Sequence, residues 1–134
     1  MSSQIDYMDE GIVRVRLTGP QTLADYRKQT EDALKLARRK KVSLFLVEDQ
    51  QARNTASVLE LFAMPAMYEE LGAPRSAKVG IVMPHNSPSA ADIRFYETVC
   101  VNRGFNVRIF ATERQAIEWL MGDTRDSPGR PAAA

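Results

Sequence analysis

The sequence predicts an α/β fold, β-β-α-β-α-β-α-β-α, built on a mixed five-stranded sheet. The first strand is antiparallel, the rest parallel, and the helices lie mainly on one face. Three observations predict it. Val13, Val15 and Leu17 alternate with Arg14 and Arg16, the period of a strand with one buried face. Three later apolar runs, 42–47, 79–83 and 105–110, are separated by stretches with helical periodicity. Those stretches open on capping-box spacings: Thr22 with Asp25, Ser57 with Glu60, Ser89 with Asp92 and Thr112 with Gln115.

In order, Ile5 and Tyr7 mark an edge strand, and Asp9-Glu10-Gly11 a tight turn in which Gly11 takes positive φ. The second strand returns antiparallel and ends at Gly19-Pro20. Thr22 then caps a helix with Leu23, Tyr26, Thr30, Ala33, Leu34 and Ala37 inward, and its basic end, Arg38 to Lys41, complements the helix dipole. Val42 to Val47 is nearly all apolar and therefore central. Gln50 to Ala56 reads as a polar loop. Ser57 caps the next helix, which Pro65 kinks or divides, because proline lacks a donor and clashes with the preceding turn. Val79 to Met83 is the fourth strand. Ser89 caps a helix with Ile93, Tyr96, Val99 and Cys100 inward. The fifth strand leads to a last helix striped by Ala116, Ile117 and Leu120, with Trp119 as an anchor. The ordered domain is expected over 1–121, and 122–134, without apolar periodicity, as a disordered tail.

A chain of 134 residues can bury a substantial core. A net charge of +1 gives no global argument for nucleic acid. One cysteine excludes an internal disulfide framework and fits a reducing compartment. No basic segment followed by an apolar run opens the chain, and no run reaches bilayer length, so a cytoplasmic protein is expected.

Right-handed crossovers, the rule in about 98% of cases, put helices on one face when the sheet winds steadily one way. Arg14, Arg16 and Arg108 then point away from them. Apolar neighbours of Ser43 on that second face suggest partial cover by a partner.

The layout resembles the SpoIIAA-like branch of the STAS fold, the family of anti-sigma-factor antagonist-like domains, which borders on the lipid-carrying CRAL-TRIO proteins. The resemblance rests on Gly11-Ile-Val-Arg-Val-Arg-Leu-Thr-Gly19, on Thr22-x-x-Asp25-Tyr26, and on Phe110-x-x-x-x-Gln-Ala116-x-x-Trp119-Leu120. It implies a small cytoplasmic bacterial domain that works by binding and lacks catalytic activity. It also draws attention to the loop after the third strand, where a serine following Asp-x-Ser is phosphorylated in the family. Here that loop reads Asp49-Gln-Gln-Ala-Arg-Asn-Thr55-Ala-Ser57, and the spacing differs. Thr55 and Ser57 are the phosphorylation candidates, with an ordinary N-cap as the plainer role for Ser57.

Four further features could carry chemistry. Glu48, Asp49 and His85 lie at strand ends, where α/β sheets bind ligands. Acid-base work there would make a small hydrolase of Asp49 and His85, but a single histidine falls short of a zinc set, and solvated loop residues are the plainer reading. Cys100 reads as a small buried hydrophobe. Phe62, Met64, Met67 and Tyr68 exceed a single stripe, so their helix is core, a lid over an apolar pocket, or a dimer contact. The basic run Lys35 to Lys41 has no interleaved aromatics and reads as dipole complement. No phosphate-binding glycine pattern is present. The sequence therefore predicts a non-enzymatic, regulatory binding module without a cofactor or metal, acting on a protein partner as a homodimer. The alternative is a carrier of a small apolar or lipid-like ligand.

Overall fold

The structure, a computed structural model, describes residues 2–122. The tail expected over 122–134 lies, from Asp123 onward, outside the described residues. Strand β1 (Ser2–Met8) pairs antiparallel with β2 (Ile12–Gln21) around a turn in which Gly11 has φ +86°. Strands β3 (Leu44–Asn54), β4 (Lys78–Val82) and β5 (Asn106–Phe110) follow in parallel, giving the order β1-β2-β3-β4-β5.

Helix α1 (Leu23–Lys40) opens on the expected box: Thr22 Oγ1 accepts from the Asp25 amide at 3.2 Å, and the Asp25 carboxylate accepts from the Thr22 amide at 2.8 Å. It closes on Lys41, whose φ of 59° is left-handed. Pro65 divides the next segment into α2 (Val58–Phe62) and α3 (Met64–Glu70), where it sits in the first turn and its missing donor breaks no helical bond. Helices α4 (Ala90–Asn102) and α5 (Glu113–Leu120) complete the chain.

Two boundaries differ from the sequence expectation. Gly19-Pro20 does not end β2, and the polar stretch after Asp49 is not a loop up to Asn54. The two strands run on together, with Thr18 opposite Gln51, Pro20 opposite Arg53 and Gln21 opposite Asn54. Pairing with β1 stops at Thr18, so Pro20 has a strand on only one side, an edge position that tolerates a missing donor. The register carries a bulge. From Arg16–Glu48 to Thr18–Gln51, β3 advances three residues while β2 advances two, which puts Asp49 at the irregularity.

The core has two sides. Val13, Val15 and Leu17 of β2, with Phe45, Ile81 and Val107, face α1, α3 and α4. Ile12, Leu46 and Val82 face the other way and are covered by Ala116 and Leu120 of α5. The apolar second face is thus closed over β3 and β4 by the chain's own last helix. The helices that link parallel strands share one face because their crossovers share one hand. Helix α5 links no strands and is free to take the opposite side. Arg14 and Arg16 lie on that side, as expected, and are paired: Arg14 forks onto Asp6 at 2.8 and 3.1 Å, and Arg16 Nε lies 3.3 Å from Glu48.

Candidate functional site

Between the sheet and the layer of α1, α3 and α4 lies a cavity of about 140 Å³. Its floor is apolar sheet surface, including Val15, Phe45, Val47 and Ile81, and Ala33 and Leu34 of α1 form one wall. Tyr68 and Tyr96 supply another; their hydroxyls hydrogen-bond at 2.6 Å and their rings meet edge to face. Strand alternation places Asp49 on this face and Glu48 on the opposite one, beside Arg16.

Asp49 is only 5% exposed. Its carboxyl has no hydrogen-bond or ion-pair partner among the described residues. Burial alone pushes it up to about 7. The other polar groups of the wall are committed elsewhere. The Tyr26 hydroxyl donates to Asn54 Oδ1 at 2.9 Å, Thr30 Oγ1 donates to the Tyr26 carbonyl at 2.8 Å, and Gln29 donates to Gln21. Burial raises the tyrosine hydroxyls Tyr26, Tyr68 and Tyr96 as well, so all three stay protonated near neutral pH. It also pushes the Cys100 thiol up to about 12, which keeps it out of its nucleophilic form.

Asn54 organises the rim, and sequence reading missed it. Its amide donates to Asp92 at 2.9 Å and to the Ala56 carbonyl at 3.0 Å, and its side-chain oxygen also accepts from the Ala56 amide. Its backbone N–H donates to Ser89 Oγ at 2.8 Å. Ser89 and Asp92 therefore do not form the expected capping box; both are turned to Asn54.

The residues singled out in the sequence separate into three places. Asp49, Met64 and Tyr68 line the cavity, and Met67 is buried in the adjoining core. Phe62 is on the surface of α2, 56% exposed, beside Val58 at 58% and Leu59 at 79%. His85 is exposed in the loop after β4 and does not line the cavity that holds Asp49. No cluster of metal-ligating side chains occurs among the described residues. Ser57 is exposed and caps α2: its Oγ accepts from the Glu60 amide at 3.1 Å, while Glu60 accepts from the Ser57 amide. Thr55 Oγ1 donates to the Gln21 carbonyl at 2.8 Å. Both candidate phosphorylation hydroxyls thus hold local structure.

Solved structures similar to this one include SpoIIAA, an anti-sigma factor antagonist, in its unphosphorylated form. That match has 16% identity, covers 90% of this chain and 99% of the other, and has a TM-score of 0.54. Another is an uncharacterised protein of the DUF3478 family from Shewanella loihica PV-4, described as having a SpoIIAA-like fold, at 15% identity, 89% and 92% coverage and a TM-score of 0.57. No protein-family model matches the chain, and no curated protein matches it. The chain has the SpoIIAA-like, STAS-type fold that its sequence resemblance implied. No helix among the described residues is long and apolar enough to cross a membrane.

Proposed function

We propose that this protein is a non-enzymatic, cytoplasmic regulatory module that works through protein contacts, with α2 as its docking element. The observation that carries this reading is the exposure of Val58, Leu59 and Phe62 on one short helix. Three large apolar side chains side by side in water are the usual mark of a contact surface. SpoIIAA, the antagonist of an anti-sigma factor by name, has the same fold. A second copy of the chain is the simplest occupant, since an isologous contact needs only a self-complementary patch.

The test is oligomeric state. Light scattering is expected to give a dimer for the unaltered chain and a monomer for Leu59→Asp and Phe62→Asp, with circular dichroism unchanged because neither side chain is in the core. A unaltered chain that stays monomeric at all concentrations, and that retains no protein selectively over Leu59→Asp in pull-downs, would sink the proposal.

A further inference from the structure

A buried carboxyl is normally paired, because leaving it unpaired in an apolar surround forfeits its hydration without return. Asp49 breaks that rule in a particular place. It sits at a β-bulge, faces a cavity, and is the one acidic group among the cavity's lining residues. None of those residues is a lysine, an arginine or a histidine. Tyr26 and Thr30 donate elsewhere, Gln29 donates one N–H to Gln21, and the Tyr68 and Tyr96 hydroxyls bond to each other; none of these bonds reaches Asp49. Among the described residues the cavity presents one carboxyl, with no hydrogen bond or ion pair made to it.

The rest of the cavity restricts what could. About 140 Å³ is close to the roughly 150 Å³ of an engineered apolar cavity that takes up benzene. That selects a compact ring or branched alkyl group over a long acyl chain. The lining is rich in aromatic rings, Tyr26, Phe45, Tyr68, Tyr96 and Phe105. Aromatic faces favour a cation that has shed its water. A second carboxylate would meet like charge beside Asp49.

From this we infer that the cavity is a binding site for a small monocationic amine carrying a compact apolar group, its ammonium paired with Asp49 and its ring or alkyl body between the sheet and α1. The site is separate from the protein contact proposed for α2. Val58, Leu59 and Phe62 do not line it, so either reading can fail without the other.

Calorimetric titration of the full chain at pH 8 with benzylamine, benzyl alcohol and benzoate tests the assignment, because the three share a body and differ in charge. Benzylamine is expected to bind at least about tenfold more tightly than benzyl alcohol, a gap of the size one paired charge provides, and benzoate is expected not to bind. Asp49→Asn should remove the preference for the amine while keeping the weak affinity for the alcohol. Ala33→Leu, which fills the cavity from α1, should abolish both. Equal binding of amine and alcohol, binding of benzoate, or no heat from any probe would overturn the inference. The comparison of probes on the unaltered chain decides the matter even if a variant does not fold.

Discussion

Asp49 links the cavity to stability. Its carboxyl titrates at about 7 in the folded protein and at about 3.9 when unfolded. The folded state therefore holds the proton more tightly. The stabilisation this confers is complete below about pH 4 and is lost as pH rises through 7, with a full span of about 4 kcal/mol. Urea denaturation of the unaltered chain should show a midpoint that falls between pH 5 and pH 8. Asp49→Asn should flatten most of that fall and be the more stable protein at pH 8. Glu97, also raised by burial, contributes a slope of the same sign in both proteins. Equal pH slopes in the two would show that Asp49 is not desolvated in the way described. Sequence alone placed Asp49 at a strand end, whereas β3 runs on to Asn54 and holds it within the strand. Nor could sequence show it buried, because its burial depends on helices from elsewhere in the chain. The rim was less legible still. Asn54 meets Tyr26, Ser89 and Asp92 at separations of 28, 35 and 38 residues, and no local spacing encodes such a hub.

Among the elements, some local signals held and others misled: Gly19-Pro20 does not break β2, and Ser89 and Asp92 do not box α4. Period-two alternation gave β2, and the Thr22 and Ser57 boxes fixed the starts of α1 and α2. The joint extension of β2 and β3 was hidden because its residues are polar and are ordered by backbone pairing, not by burial. The Ser57 cap carries a prediction of its own. It satisfies the Glu60 amide at the start of a helix only five residues long. Ser57→Ala should cost about 1 kcal/mol and speed hydrogen exchange at Leu61 and Ala63, whose amides bond to Ser57 and Leu59 carbonyls. Ser57→Asp keeps an acceptor at the cap and should restore both values. If Ser57→Ala exchanged no faster than the unaltered chain, packing of Leu61 against the core would be what holds α2, with the cap incidental.

At the scale of the whole molecule, the decisive feature is how the second face of the sheet is closed. The near-continuous apolar run of β3 already required cover on both sides. A helical stripe, however, does not say which face it will meet, so the sequence pointed to a partner as that cover, where the structure puts α5 against Leu46 and Val82. Gly80 sits under this contact. A Cβ placed there would meet Ala116 Cβ at 3.4 Å and Leu120 at 3.6 Å, which is ordinary van der Waals contact. Gly80→Ala should therefore leave stability within about 1 kcal/mol of the unaltered chain, the crowding being offset by the smaller freedom of the unfolded alanine. Gly80→Leu has no such room. It should lift α5, cost about 1–3 kcal/mol and expose the apolar strip of Leu46 and Val82. The same lifting should disturb the Trp119 ring, which now lies 4.7 Å from Lys78 Nζ. Tryptophan fluorescence would then shift in Gly80→Leu and not in Gly80→Ala, while benzylamine affinity at the opposite face stays unchanged in both. A shift common to the two variants would mean that α5 is seated less closely than this packing requires.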